Sequence, residues 1–275
     1  MKEFTFVPEG QENCSVKAWI HFQNGSMKIK QRNYPAVIIC PGGAYEAVSD
    51  SEAEPVALKF YAAGYNTFIL TYSVKERARS FTPLSQLASA VAQIRKNSEE
   101  WYTMPNQIAV CGFSAGGHLA ASLGVLHNKP EFLKVFPCTD NIRPDAMILC
   151  YPVITADESG HVVTLENVSG AKRETKKYKW FGLEKHVNAE TSPAFIWHTA
   201  EDSIVPVENS LKLSLALANE KIPFELHIFP HGPHGMSVCT KEVENTMIPI
   251  VSDYPWVELC VKWMNRLFDF YLYKR

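Results

Sequence analysis

The feature that most constrains this 275-residue chain is the pentapeptide Gly-Phe-Ser-Ala-Gly at residues 112–116. The mostly apolar residues 107–111 before it are typical of a buried strand, and residues 117–123 after it are typical of a helix. A serine on such a turn needs small neighbours, because strand and helix approach closely there. We expect the turn to lift the Ser114 hydroxyl above the sheet edge, beside backbone N–H groups of the helix start. The pattern alone also fits an ordinary glycine–serine turn, so other residues must show whether Ser114 has a catalytic role.

Runs of apolar residues alternate with helical segments along most of the chain. The continuous apolar character of the predicted strands suits a parallel sheet covered on both faces. Alternating apolar residues at 16–22 instead predict an edge or antiparallel strand. The predicted fold class is α/β, a mostly parallel doubly wound sheet with helices on both faces, in a single domain over residues 1–275. The predicted core strands are 36–40, 67–72, 108–111, 146–150, 194–199 and 224–229.

The helix predictions depend on capping residues and on helical spacing of apolar residues. Ser51 and Glu54 resemble a capping box, with Pro55 in the first turn, and Gly64 would end this helix after residue 63. Further helices are predicted at 84–97, 114–127, 207–220 and 255–271.

Residues 156–192 interrupt the alternation of strands and helices. Their basic run at 171–180 is most simply interpreted as a solvated helix or loop. Since the segment follows a core strand, it is also a candidate for a short cap over a pocket.

The net charge and the cysteine content argue against several classes of function. The net charge of −2 leaves no electrostatic footprint for nucleic acid or for an anionic membrane surface. No window resembles a membrane-spanning helix, and the N-terminus lacks the features of a signal peptide, so we expect a cytoplasmic protein. The seven cysteines show neither C-x-x-C nor paired Cys/His spacing, which favours reduced structural thiols and no metal site.

A serine nucleophile needs a base and an acid, and the chain offers candidates beyond later core strands. Asp202 comes just past the predicted strand 194–199, where a carboxylate can reach an imidazole. Such a carboxylate fixes the imidazole tautomer and stabilises the imidazolium. A turn or helix-cap role for Asp202 is the alternative, and Glu201 is the second candidate for the acid.

The loop after the predicted strand 224–229 carries two candidate bases, His231 and His234. A histidine within hydrogen-bond reach of the serine accepts its proton and returns it to the leaving group. A glycine follows each of the two histidines, so the residues alone leave both open.

Three other histidines fit structural positions better. His227 and His198 lie inside predicted strands, as core or surface histidines. His118 is four residues after Ser114 on the same helix face, where an imidazole packs beneath the turn.

A glycine loop early in the chain could supply hydrogen-bond donors to the same site. Residues 40–45 follow a core strand, and their glycines let the backbone approach a substrate. They lack G-x-G-x-x-G, so a dinucleotide site is excluded, although a plain turn is not. The N–H of Ala115, next to the serine, is a further donor to developing negative charge.

Taken together, six motifs make the chain resemble the small acetyl-esterase and acetylxylan-esterase-like α/β-hydrolases, related to the hormone-sensitive-lipase and bacterial feruloyl-esterase branches. The resemblance runs from about residue 35 to residue 262. It depends on PGGAY at 41–45, CGFSAGGHLA at 111–120, RPD at 143–145, CYPV at 150–153, WHTAED at 197–202 and HGPHG at 231–235.

The resemblance implies a serine esterase that acts on short acyl esters, with a small-molecule ester as its partner and no cofactor. It implies Ser114 as nucleophile, Asp202 as acid and His234, rather than His231, as base. It also places the oxyanion donors on Gly43 and Ala44 together with Ala115. Relatives in the lipase branch carry histidine and three glycines where this chain has PGGA at 41–44.

Two other functions remain compatible with these residues. An amidase or peptidase would use the same three side chains on a different bond, but the peptidases of this fold usually carry a large extra domain, for which the chain has no room. A binding protein without turnover would typically lack one of the three, and all three positions are filled here.

Overall fold

The centre of the molecule is one mixed sheet. The computed structural model describes residues 1–21, 32–138, 141–244, 248–249 and 252–271. Its strands are β1 (Lys2–Phe6), β2 (Ser15–Ile20), β3 (Tyr34–Cys40), β4 (Asn66–Thr71), β5 (Thr103–Phe113), β6 (Ala146–Cys150), β7 (Ala194–Thr199) and β8 (Phe224–Phe229). Across the sheet they are ordered β1-β2-β4-β3-β5-β6-β7-β8. The predicted α/β fold class is confirmed.

Strand direction divides the sheet into two parts. The strands from β4 through β3 and β5 to β8 are parallel, whereas β2 is antiparallel to both β4 and β1. The antiparallel strand predicted at 16–22 is therefore confirmed as far as Ile20, and Phe22 lies outside the described residues. Strand β1 was not predicted, and its side chains Phe4 and Phe6 pack against Trp101.

Successive residues of the parallel strands supply two separate cores. In β5, Ile108 and Val110 join one apolar cluster, and Cys111 and Phe113 join the other. Because successive side chains of a strand point to opposite faces, a strand covered on both faces must be apolar throughout. The observed packing explains the continuous apolar runs in the sequence.

Helices cover both faces of the sheet. Residues of α2, α3 and α7 pack into one cluster and residues of α1 and α8 into the other. All five predicted helices are present, within two or three residues of the expected ends. The helices are α1 (Glu54–Ala62), α2 (Thr82–Lys96), α3 (Ala115–Leu126), α4 (Pro130–Leu133), α5 (Val162–Ser169), α6 (Lys176–Trp180), α7 (Glu208–Asn219) and α8 (Trp256–Phe268).

The predicted capping box at the start of α1 is wrong. The N-cap is Ala53, without a side-chain hydrogen bond, and Ser51 lies in a 3₁₀ turn that precedes the helix. Glu54 binds the Lys17 ammonium at 2.7 Å instead of reaching back to a backbone N–H. The physical reason is Glu52, whose side chain is buried and draws this turn towards the core.

The segment 156–192 folds as α5, α6 and a 3₁₀ turn at Leu183–Lys185. Most of the basic run at 171–180 is exposed, as a solvated helix or loop should be, but Tyr178 is fully buried. A backbone hydrogen bond of 2.9 Å from Leu183 to Ile154 ties the segment to the chain that follows β6.

Six of the seven cysteines are buried, and the structure holds all seven as reduced thiols. Burial raises the pKa of the Cys40 and Cys150 thiols well above the usual range, which keeps both protonated and unreactive. Within the part of the chain that is described, none of the helices has the length and apolar character that a bilayer crossing requires.

Candidate active site

Ser114 lies on the sharp turn between β5 and α3. Its backbone has φ 53° and ψ −117°, a conformation that costs a non-glycine residue about 1–3 kcal/mol. A Cβ atom on Gly112 would lie 2.0 Å from the carbonyl oxygen of Gly116, and one on Gly116 would lie 2.0 Å from that of Cys40. The two glycines of the pentapeptide are therefore required by close backbone contact at this turn.

His234 is the histidine that the fold brings to this serine. Its Nε2 atom lies 2.8 Å from Ser114 Oγ, and its Nδ1 atom lies 2.6 Å from Asp202 Oδ2. An ionised carboxylate only accepts hydrogen bonds, so Nδ1 carries the proton and Nε2 offers a lone pair to the serine hydroxyl. This tautomer is the one that a general base needs.

Asp202 follows β7 and is almost completely buried. Its Oδ1 atom accepts the N–H groups of Ile204 and Val205, each at 2.9 Å. Burial raises the pKa of this carboxyl, but hydrogen bonds from His198, His234 and the Val205 N–H outweigh it, so the pKa lies below its ordinary value. The side chain therefore stays ionised at neutral pH.

The alternative acid and base pair with each other, away from the serine. His231 Nδ1 lies 2.8 Å from Glu201 Oε1, and both side chains are more than half exposed, at 67% and 59%. The sequence left two candidates open for the base and two for the acid. In the structure, His234 and Asp202 lie at the serine, whereas His231 and Glu201 lie at the surface.

The three histidines expected in structural positions lie where the sequence placed them, with one addition. His118 is fully buried on α3, with Nδ1 3.1 Å from the Tyr45 hydroxyl and Nε2 3.1 Å from the Phe181 carbonyl oxygen. His227 lies on β8, 2.9 Å from Glu225. His198 is buried in β7 as expected, but its Nε2 atom also lies 3.2 Å from Asp202 Oδ2, a contact that sequence reasoning missed.

The glycine loop after β3 lies against the turn at Ser114. Gly43 has φ +127°, and a Cβ atom there would lie 2.3 Å from the Ala47 carbonyl oxygen, so only glycine fits. No hydrogen bond to a described residue uses the N–H of Gly43 or Ala44. As the first residue of α3, Ala115 has no intrahelical acceptor for its N–H. These three backbone donors are therefore available to a ligand.

A buried carboxylate lies behind this loop. Glu52 accepts the Gly42 N–H at 2.7 Å through Oε2 and the Tyr151 hydroxyl at 2.7 Å through Oε1. The Tyr151 ring meets the His234 ring at a centroid distance of 4.9 Å. Sequence reasoning missed both residues, and the only signal was CYPV at 150–153, which marks Tyr151 as part of a motif without indicating its partner.

The segment 156–192 reaches the same region. The Asn167 amide donates a 2.9 Å hydrogen bond to the Ala44 carbonyl oxygen. Asn167 also lines a groove of about 360 Å³ together with Glu46, Lys75, Glu76 and Arg79. Every side chain of this lining is polar or charged. Within the described residues, no group of three or more potential metal ligands is found.

Comparison with known proteins places this fold and site in a family. The BD-FAE family model matches residues 26–217. Endo-1,4-beta-xylanase B of Butyrivibrio fibrisolvens is 37% identical over 214 residues, which are 75% of this chain and 33% of that protein. The acetylxylan esterase of Xylanibacter ruminicola is 29% identical over 212 residues, 74% of this chain and 42% of that protein. This chain therefore spans less than half the length of either relative.

A solved structure extends the likeness over nearly the whole chain. The acetyl ester-xyloside bifunctional hydrolase of Caldicellulosiruptor lactoaceticus superimposes with a TM-score of 0.79 at 32% identity, covering 96% of this chain and 91% of that one. The resemblance indicated by the sequence motifs is confirmed. With a family model matched over most of its length, this chain belongs to the BD-FAE family and has the α/β-hydrolase fold.

Proposed function

We propose that this chain is a serine carboxylic ester hydrolase that removes short acyl groups, above all acetyl, from carbohydrate esters through an acyl-enzyme intermediate. The observation that carries the proposal is the continuous hydrogen-bonded path from Ser114 Oγ to His234, at 2.8 Å, and from His234 to Asp202, at 2.6 Å. Nucleophile, base and acid stand in the order and geometry that acyl transfer needs.

In the first half-reaction, Ser114 Oγ attacks the ester carbonyl carbon while His234 Nε2 takes the hydroxyl proton. The carbonyl π electrons move to oxygen, and the N–H groups of Gly43, Ala44 and Ala115 donate to that oxyanion. Collapse of the tetrahedral intermediate expels the alcohol, which receives the proton from His234. The acyl group remains on Ser114 as an ester.

In the second half-reaction, His234 takes a proton from water, which attacks the acyl-serine carbonyl. Collapse returns the proton to Ser114 Oγ and releases the carboxylic acid. The ionised Asp202 stabilises the imidazolium in both halves, and its pKa, held low by its hydrogen bonds, keeps it charged throughout.

Two observations support a carbohydrate as the alcohol. The relatives described above include proteins named acetylxylan esterase and acetyl ester-xyloside hydrolase. The groove beside the glycine loop offers two cationic side chains, two acidic ones and an amide, which suit a hydroxyl-rich leaving group. In this proposal, residues 156–192 form a short cap over the same groove, and the hydrogen bond from Asn167 to Ala44 holds the cap there.

A hydrolysis screen tests the proposal. We expect p-nitrophenyl acetate to be cleaved faster than longer acyl esters, and acetylated xylo-oligosaccharides to release acetate. Ser114→Ala should abolish turnover, whereas Ser122→Ala, which changes a buried serine on α3, should retain it. Wild-type protein without ester turnover, or activity retained by Ser114→Ala, would overturn the proposal. Faster cleavage of a matched anilide than of the ester would favour an amidase instead.

A further inference from the structure

The Glu52 carboxylate has a position that the proposed reaction does not explain. Its side chain is 4% exposed, yet both oxygens are occupied by neutral donors, the Gly42 N–H and the Tyr151 hydroxyl. Burial raises the pKa of this carboxyl, partly opposed by the hydrogen bonds from Tyr151 and Gly42. Removing a carboxylate from water is costly, so a purely structural role would be filled more cheaply by an apolar side chain.

The first contact of Glu52 fixes the glycine loop. Because the Gly42 N–H already donates to Oε2, the peptide plane between Pro41 and Gly42, just before Gly43 in the loop, has one orientation. A Cβ atom built on Gly42 would lie 2.8 Å from Oε2 and 3.1 Å from the Ser114 Cβ atom. The carboxylate therefore holds the loop at the point where it touches the nucleophile.

The second contact reaches the histidine loop. The Tyr151 hydroxyl donates to Glu52 Oε1 and accepts the N–H of Ser237 at 2.9 Å, three residues after His234. The Tyr151 ring packs edge to face on His234. Glu52 and Tyr151 thus form a rigid bridge between the loop with the backbone donors and the loop with the base.

We propose that Glu52 is a positioning residue that sets the Gly43 and Ala44 N–H groups against Ser114 and holds their distance from His234. This inference rests on the proposed function, since it assigns Glu52 to the same acyl-transfer site. Glu52 does not touch the substrate in this role. It acts through the glycine loop, where small displacements of an oxyanion donor have large kinetic effects.

Three variants test how the two acceptor oxygens of Glu52 contribute to catalysis. Glu52→Met keeps the side-chain length and removes both acceptors, so we expect kcat to fall about 100-fold with KM within about twofold of wild type. Glu52→Gln keeps one acceptor oxygen, and we expect a loss of about 10-fold, a partial rescue by the conservative variant. Glu54→Gln, two residues along and half exposed in its pair with Lys17, is the matched control and should behave as wild type.

A fluorophosphonate probe separates positioning from loss of fold. The probe phosphonylates the activated serine, and its rate depends on the oxyanion donors, whereas its endpoint counts folded sites. If the oxyanion donors are displaced, the rate constant of labelling falls but all of the protein is eventually labelled. If the variant is only destabilised, less protein is labelled in the end, but the folded fraction reacts with an unchanged rate constant. If Glu52→Met does not fold, Glu52→Gln and Tyr151→Phe still carry the test, and both should label more slowly at a full endpoint.

The outcomes are distinct for the two proposals. Variants of Glu52 that label and turn over at the wild-type rate overturn the positioning role and leave the esterase proposal intact. Wild-type protein that is labelled at Ser114 but cleaves no ester overturns the esterase proposal, while the labelling rates still decide the role of Glu52. Wild-type protein that neither labels nor turns over overturns both.

Discussion

His198 and His234 bind the same carboxylate oxygen. The Nε2 atom of His198 lies 3.2 Å and the Nδ1 atom of His234 lies 2.6 Å from Asp202 Oδ2. His198 Nε2 also lies 2.9 Å from the Val205 carbonyl oxygen, so this nitrogen carries the proton and Nδ1 accepts from the Ser210 hydroxyl. His198 is therefore a second imidazole donor to the carboxylate oxygen that binds His234.

Replacing His198 should impair both stability and turnover. We expect His198→Phe to lower the free energy of unfolding by about 1–3 kcal/mol, because Ser210 and Val205 lose a buried partner. The kcat should fall about 10-fold, since Asp202 loses one of the donors that orient it. His227→Phe, on the neighbouring strand, is the control and should keep near wild-type kcat. Urea unfolding and p-nitrophenyl acetate kinetics measure both, and an unchanged kcat in His198→Phe would contradict the prediction.

The two histidines of the loop after β8 should differ sharply. His234→Ala removes the only imidazole that contacts Ser114 within the described residues, and we expect kcat to fall about 10²–10⁴-fold. His231→Ala removes an exposed pair with Glu201 and should leave kcat within about twofold. Steady-state kinetics of the two purified variants decide the assignment. Comparable losses in both would mean that the loop moves in the working enzyme.

Gly43 should tolerate no side chain. Gly43→Ala places a Cβ atom 2.3 Å from the Ala47 carbonyl oxygen at φ +127°, so the loop must move away from Ser114. We expect kcat to fall about 100-fold or more, as for the loss of an oxyanion donor. Gly10→Ala is the matched control, since Gly10 also has a positive φ of +73° but no atom within 4 Å of the added Cβ. Its kcat should stay at the wild-type value, with only a modest loss of thermal stability.

His118 should make stability depend on pH. Burial lowers its pKa from 6.5 to about 4, partly opposed by the bond to Phe181. Between these values the unfolded chain binds a proton that the folded chain does not, so stability falls as the pH falls, by at most about 1.4 kcal/mol per pH unit.

The test compares wild type with His118→Gln in urea at pH 7 and pH 5. Other titrating groups are common to both proteins, so their contributions cancel in the difference. We expect the stability advantage of wild type to shrink by about 2 kcal/mol at the lower pH. A difference that does not change with pH would show that His118 is not the group responsible.

The sequence predicts the fold well because the parallel strands supply both cores. Each of these strands needs an unbroken run of apolar residues, and such runs are easily recognised between glycines and charged residues. Ser114 and Asp202 could be predicted for a related reason. The carboxyl ends of β5 and β7 lie at one edge of the sheet, so polar residues just past them meet.

Glu52 could not be predicted from local sequence. Its burial depends on Tyr151, which is 99 residues away, and nothing near Glu52 indicates that partner. Its neighbours instead resembled a capping box, because the helix-start pattern is local and the bond to Gly42 is not. The choice between His231 and His234 likewise depended on the path of the loop, which turns at Gly232 and Gly235 with φ of +129° and +88°.

Two hydrogen bonds of the segment 156–192 reach groups close to Ser114 in the sequence or in the fold. Asn167 supplies a donor to the carbonyl of Ala44, and Phe181 supplies an acceptor to the imidazole of His118. An engineer who exchanges this segment for that of a relative must replace both groups. A graft without the acceptor leaves a buried N–H unsatisfied behind the nucleophile, at about 1–3 kcal/mol. Exchanging residues 156–192 therefore also changes the packing around the turn at Ser114.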